Sequence, residues 1–266
     1  MDIGVYIGKN TDIMIRELNK QILYGEVTFK HLNLEKIEDN VEFDRILIKL
    51  DKETSNNKER WILMYERFPD KFVENLDDII DLSDRYIFNE KFKDISVNGV
   101  NTIRWCQIIG NNLTSSVIVK PVNAHGSDES HKIIYRDKNE DINLGYPYVI
   151  QEYILNTGVL YKIYVIGENI YINRRKSELF DKLSGLIRRD DEVINLENIR
   201  DDLGYESLVE LVRKIGEMCD INFYGIDLIL GETGVYYVID INHFPSYKNI
   251  LDKYLAIANV IIEKIR

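Results

Sequence analysis

The chain is short of several things. Among its 266 residues are 2 cysteines, 4 prolines, 4 histidines and 2 tryptophans. Two cysteines cannot build a disulfide scaffold, and Cys106 and Cys219 show no metal-ligand spacing. Cys219 falls on the apolar face of a helical pattern and Cys106 lies beside Trp105, so both are expected as buried thiols. No apolar run reaches the ~18 residues that suggest a membrane span. The start, Met1-Asp2-Ile3-Gly4-Val5-Tyr6-Ile7, lacks the basic region of a secretory signal. The expectation is a cytoplasmic protein with no membrane partner. Basic charge is also in deficit, with 34 Lys and Arg against 45 Asp and Glu and a net charge of −11. That balance argues against a general nucleic-acid binder. A small polyanion is not excluded, because charges beyond ~10 Å are largely screened and only a local basic cluster matters to it.

What is present fits an ordinary soluble globular protein: 45% hydrophobic and 30% charged residues. The length suits two or three lobes better than one core. The first part alternates strand and helix. Strands are predicted at 3–7, 27–32 and 45–50, with helices at 12–23 and 58–68, a βαβ-like order that implies a small parallel sheet. Short helices follow at 77–82 and 84–92. The spacing of Ile103, Cys106, Gln107 and Ile109 suggests another. Strands are read at 117–120 and 148–153, then a hairpin of 160–166 with 170–173 around Gly167-Glu168-Asn169. Residues 177–200 are highly charged and read as a connection. Helices at 207–219 and 253–265 bracket a last hairpin. The expected lobes are 1–82, 83–155 and 156–266, in an α/β (α+β) fold.

The last hairpin carries the strongest chemical signal. Tyr224–Leu230 and Tyr236–Asn242 are β-rich runs around Gly231-Glu232-Thr233-Gly234. Pairing residue 230 with 235 sets 227 opposite 238. Side chains alternate along a strand, so Val238, Asp240 and Asn242 are predicted to share the face of Asp227. Aspartates are depleted in strand interiors, and burying carboxylates without partners is costly. Two carboxylates and an amide oxygen converging on one face suit Mg²⁺, with phosphates and water completing its shell.

Other segments offer anion-binding chemistry. Lys120 leaves an apolar strand before Pro121, where an ammonium can meet nucleotide phosphates; a snorkelling surface lysine is the plainer reading. Gln151-Glu152-Tyr153-Ile154 leaves a strand with backbone groups able to bond an adenine edge. The loop Ala124-His125-Gly126-Ser127-Asp128-Glu129-Ser130-His131 combines histidines, hydroxyls and a glycine. It reads as a phosphate loop, as a solvated loop or, from the two histidines, as a metal site of unfamiliar spacing. Lys162 lies on a strand opposite in face to Tyr161 and Ile163, and Arg174-Arg175-Lys176 ends the partner strand, an arrangement that favours anions.

Taken together, these motifs resemble an ATP-grasp enzyme, and within that fold the inositol 1,3,4-trisphosphate 5/6-kinases. The resemblance rests on Val119-Lys120-Pro121, Ala124-His125-Gly126-Ser127, Ser130-His131, Val149–Ile154, Gly158–Gly167, Arg174-Arg175-Lys176-Ser177, Tyr224-Gly225-Ile226-Asp227 and Val238–Tyr247. It spans roughly residues 117–248. The acidic pattern fits any ATP-grasp protein, whereas the blocks 158–167 and 240–247 are specific to the kinases.

The resemblance implies two lobes that sandwich ATP and an N-terminal lobe on the substrate side. It implies that Asp227, Asp240 and Asn242 hold one or two Mg²⁺. Arg85 and Lys120 would touch ATP phosphates, Gln151, Glu152, Tyr153 and Ile154 would form the adenine hinge, and Ser177 would lie near the nucleotide. His125, Gly126, His131, Lys162, Asn242 and Ser246 would contact the inositol phosphate, joined by Lys9, Lys49 and Arg175 as basic positions. Lys162 and His131 are the candidate catalytic residues. The chain departs from the family pattern at Ile48-Lys49-Leu50, where a His is usual before the Lys, and at Ser246, where a Gly is usual. The expectation is a monomeric ATP- and Mg-dependent inositol phosphate kinase. A carboxylate–amine ligase using the same metal trio is the alternative, and a non-catalytic inositol phosphate sensor a third reading.

Overall fold

The computed structural model describes residues 1–22, 27–98, 102–105, 115–124, 132–137, 142–176, 191–192 and 204–265. The N-terminal lobe begins with β1 (Asp2–Tyr6), α1 (Thr11–Gln21), β2 (Thr28–His31) and β3 (Arg45–Ile48). Both β2 and β3 pair parallel to β1, in the order β2-β1-β3. This is the sheet that the strand–helix alternation predicts. Helices α2 (Lys52–Ser55) and α3 (Lys58–Arg67) follow, and Trp61 and Met64 of α3 pack with Ile46, Ile48 and Leu76.

Next come α4 (Leu76–Ser83) and α5 (Arg85–Phe92). Asn75 caps α4 by accepting from the amides of Asp77 and Asp78, and Asp84 caps α5 by accepting from those of Tyr86 and Ile87. Strands β4 (Ser96–Asn98) and β5 (Thr102–Trp105) replace the short helix suggested at 103–109. Ile103 is buried in the core of the large sheet because β5 pairs parallel to a C-terminal strand there. The rest of that expected helix lies outside the described residues. Pairing with β13 and β4, a through-space contact, sets the period here.

A three-stranded antiparallel sheet, β6 (Val117–Pro121), β7 (Ile134–Arg136) and β8 (Tyr148–Glu152), has the order β7-β6-β8. Its small core is Val117, Val119 and Ile150. The remaining elements are β9 (Asn156–Ile166), β10 (Asn169–Lys176), β11 (Asp191–Glu192), α6 (Tyr205–Met218), β12 (Phe223–Gly231), β13 (Tyr236–His243) and α7 (Lys253–Ile265). The large sheet runs β11-β10-β9-β12-β13-β5-β4. Strands β4 and β5, inside the 83–155 segment by sequence, thus extend this sheet and not the three-stranded one.

The two faces of the large sheet differ. On one, Ile163, Ile226, Leu228, Val238 and Ile241 pack against α6 through Leu208, Leu211 and Ile215. That apolar stripe is the one the helical spacing predicts. On the other face, Tyr164, Ile166 and Phe223 meet α7 and the N-terminal lobe. Beside them, this face bears a row of polar residues.

The register of the last hairpin corrects the expectation. Gly231 and Val235 close the turn, with the Gly231 amide donating to the Val235 carbonyl at 2.9 Å, so Leu230 pairs with Tyr236 and not with residue 235. Leu228 then lies opposite Val238, and the register shifts before Asp227 meets Asp240. The extra residue is Ile239, a β-bulge. Val238 is therefore on the core face with Leu228, not on the face of Asp227 as expected. Asp240 lies directly opposite Asp227, and Asn242 opposite Gly225.

Candidate active site

The polar row follows from strand pairing alone. Asn173 of β10 pairs with Lys162 of β9, Lys162 with Asp227 of β12, and Asp227 with Asp240 of β13. Residues paired across neighbouring strands share a face. With strands ~4.8 Å apart, Asn173 and Asp240 are roughly 14 Å from each other. The row thus runs from the paired carboxylates of β12 and β13 to the Lys162 ammonium on β9 and the Asn173 amide on β10.

Lys162 Nζ donates to both carboxylate oxygens of Asp227 at 3.0 Å. Burial raises the Asp227 pKa; Lys162 opposes that shift, Asp240 adds to it, and Arg175 opposes it further. Arg85, buried at the start of α5, reaches Asp240 Oδ2 at 3.4 Å and donates to the carbonyl of Pro121 at 2.9 Å. The α4–α5 corner delivers it there, because the Arg85 amide donates to the Val122 carbonyl and the Ala124 amide to the Ser83 carbonyl. Lys120, also buried, donates to the carbonyl of Ile239 at 2.7 Å. The bulge that aligns the aspartates therefore also presents the acceptor that holds Lys120 beside them.

Asp227, Asp240 and Asn242 fit a hard cation. Asp227 and Asp240 face each other across one strand pair, and Asn242 is two residues along β13 on the same side. All are oxygen donors, and Mg²⁺ commonly takes one or two protein carboxylates and leaves the rest of its shell to water and phosphate. Among the described residues no group of three His, Cys, Asp or Glu converges as a denser metal site.

At the other end of the row a cavity is lined by Lys162, Asn173, Arg175, Ser246, Lys248 and Asn249. Sequence reading named three of these, Lys162, Arg175 and Ser246. It missed Asn173, Lys248 and Asn249; the last two directly follow the Val238–Tyr247 block and were the available signal. Arg175 Nε is buried without a hydrogen-bond partner among the described residues.

The loop 244–249 forms the cavity rim. Phe244, Tyr247 and Asn249 have φ of 45°, 46° and 64°. Bulky residues avoid this region, so the surroundings must hold it. Tyr247 Oη donates to the Val165 carbonyl at 3.1 Å, and Asn173 Nδ2 to the Lys248 carbonyl at 2.9 Å. Lys49 Nζ donates to the Phe244 carbonyl at 2.8 Å, and Lys253 Nζ to the carbonyls of Ser246 and Tyr247, each at 3.3 Å. Burial lowers the pKa of both lysines. Gly225 allows Pro245 close to β12, since a Cβ there would lie 3.1 Å from Pro245 Cγ.

A second buried feature was invisible in the sequence. Glu74 accepts from the amides of Asn222 and Phe223 at 2.6 and 3.0 Å, and its other oxygen lies 2.8 Å from His243 Nε2. It ties the N-terminal lobe to the start of β12 and the end of β13.

The other expected site residues are placed as follows. Gln151 is buried on β8, Glu152 is exposed, and Tyr153 and Ile154 are half-buried. The Tyr153 ring packs edge-on against Tyr135, with centroids 5.1 Å apart. Lys9 is exposed after β1 and does not line the cavity. His125, Gly126, His131 and Ser177 lie outside the described residues.

Residues 95–263 match the model of the inositol 1,3,4-trisphosphate 5/6-kinase ATP-grasp domain. Inositol-tetrakisphosphate 1-kinase 1 of Arabidopsis thaliana is 30% identical over 155 residues, 49% of this chain and 48% of that protein. Inositol-tetrakisphosphate 1-kinase 2 of Glycine max is 33% identical over 150 residues, 49% of this chain and 47% of that one. The Danio rerio inositol-tetrakisphosphate 1-kinase is 30% identical over 164 residues, 54% and 41% of the two chains. The matches thus span about half the length of these relatives. Among solved structures, D-alanine–D-alanine ligase from Bacillus anthracis complexed with ATP superposes with a TM-score of 0.61 at 17% identity, over 100% of this chain and 97% of that one. N5-carboxyaminoimidazole synthase from Aspergillus clavatus, in complex with ADP and its ribonucleotide, gives 0.64 at 11%, over 98% and 76%. At such identities the likeness concerns the fold, which is ATP-grasp. With more than half of its residues under the family model, the chain belongs to the inositol 1,3,4-trisphosphate 5/6-kinase family.

Proposed function

We propose that the protein is an ATP- and Mg-dependent kinase that transfers the γ-phosphoryl group to an inositol polyphosphate. The observation that carries this reading is the row Asn173–Lys162–Asp227–Asp240, acidic at one end and opening at the other onto a cavity that Lys162, Arg175 and Lys248 line. Phosphoryl transfer asks the protein for alignment and charge stabilisation more than for a covalent intermediate. Asp227, Asp240 and Asn242 would hold Mg²⁺, which neutralises phosphate charge when bound. Lys120 and Arg85 add positive charge beside that end, and Gln151 to Ile154 offer the adenine hinge. Lys162 stands between the carboxylates and the cavity, where a substrate oxygen attacking the γ-phosphorus would lie. Arg175, Ser246 and Lys49 shape the substrate side; Lys49 acts through the Phe244 carbonyl of the rim loop.

The test is incubation with Mg²⁺, labelled ATP and a panel of inositol phosphates, followed by resolution of the products. Label in at least one inositol phosphate is the expected result. Label in none, with ADP released only when an amino acid and an amine are both supplied, would put the carboxylate–amine ligase in its place.

A further inference from the structure

We propose that Lys248 is a phosphate-binding residue of the substrate cavity, forming with Arg175 a subsite for a phosphate remote from the reacting oxygen. This rests on the inositol phosphate kinase reading and adds to it the substrate class: an inositol bearing a phosphate at the β10 side of the cavity. Three observations lead there. First, Lys248 lines the cavity together with Lys162 and Arg175. Second, its backbone is fixed. Asn173 holds its carbonyl, Tyr247 is anchored to Val165, Lys253 bonds the two preceding carbonyls, and left-handed residues flank it at 247 and 249. Third, the lysines near the rim divide by task. Lys49 and Lys253 place their ammonium groups on loop carbonyls. Lys248 is exposed, and no carboxylate pairs with it among the described residues.

The position in the row decides which phosphate is meant. Transfer takes place at the Asp227–Asp240 end, where a cation and the nucleotide phosphates would sit. Asn173, which holds Lys248, is the far member, two strands from Asp227. A substrate spanning the row thus presents its reacting oxygen near Lys162 and another phosphate to Lys248 and Arg175. Charge-assisted hydrogen bonds of this kind are roughly twice as strong as neutral ones.

The experiment compares wild type, Lys248→Ala and Lys248→Arg on the inositol polyphosphate that wild type accepts best. Loss of one charged contact to phosphate is expected to raise KM about tenfold in Lys248→Ala. The effect falls on KM and not on kcat, and Lys248→Arg recovers most of it. Unchanged thermal unfolding of the variants shows that the rim loop is intact. If wild type is active and Lys248→Ala keeps the wild-type KM, the subsite is wrong while the kinase reading stands. If wild type labels no inositol phosphate, both fall together.

Discussion

At the scale of single residues, the site depends on which carboxylates are tied and to what. Asp227 shares its two oxygens with Lys162, whereas Asp240 meets Arg85 at a longer 3.4 Å. Asp240→Asn keeps the shape and removes the charge. It is expected to lower kcat by a hundredfold or more, about the cost of removing one preorganised charge-stabilising group, with the unfolding midpoint nearly unchanged. ADP release and a melt measured together check both halves, and near-wild-type turnover would remove Asp240 from the proposed metal set. Lys162→Ala is expected to reduce turnover of the inositol substrate more than it weakens ATP, read as kcat/KM against the ATP affinity. Full activity in that variant would end its proposed role. Glu74 acts on stability. Glu74→Ala leaves the part-buried Asn222 amide, the buried Phe223 amide and His243 Nε2 without their acceptor, at about 1–3 kcal/mol for each unsatisfied buried group. A urea denaturation midpoint close to wild type would contradict the buried clamp.

Two elements position what the residues do. The β12–β13 hairpin carries its bulge at Ile239, and the bulge performs two tasks. It brings Asp240 opposite Asp227 and turns the Ile239 carbonyl to Lys120. The rim loop 244–249 is the other element. Its left-handed residues are paid for by the hydrogen bonds that hold it, since each such conformation costs of order 1–3 kcal/mol for a non-glycine residue. Asn tolerates this region and Gly adopts it freely. Asn249→Gly is therefore expected to be close to neutral, and Asn249→Val to destabilise by about 1–3 kcal/mol. Equal denaturation midpoints for the two variants would mean that residue 249 does not need a positive φ.

For the whole molecule, two sheets and the α4–α5 corner meet around the site. Arg85 comes from the corner after α4, Lys120 from the three-stranded sheet, and the acidic pair from the seven-stranded sheet. Ligands that bridge these parts stabilise the folded chain by mass action. ATP with Mg²⁺ at a hundredfold excess over its Kd is expected to add about 2.7 kcal/mol. The shift in unfolding temperature should require both components and should lose its Mg²⁺ dependence in Asp240→Asn. An identical shift with ATP and a chelator would mean that nucleotide binding does not use the cation. With a net charge of −11, recruitment of the proposed polyanionic substrate would fall to the local cluster of Lys162, Arg175 and Lys248, because the acidic remainder is screened over about 8–10 Å.

Residue type and local period settled a great deal in advance. The parallel N-terminal sheet, the α6 stripe of Leu208, Leu211 and Ile215, the last helix and the shared face of Asp240 and Asn242 all follow from alternation of 2 or 3.6 along the chain, whereas the meeting of Asp240 with Asp227 needs the bulge. Such patterns are local, so a sequence displays them. Folding decided the rest: the one-residue bulge at Ile239, the strand at 102–105 in place of a helix, the Glu74–His243 contact and the meeting of Lys248 with Lys162 and Arg175 at one cavity. The bulge sits inside one hairpin and depends on where its turn closes; each of the others joins positions far apart in the chain, and no short window of residues contains both members of such a contact.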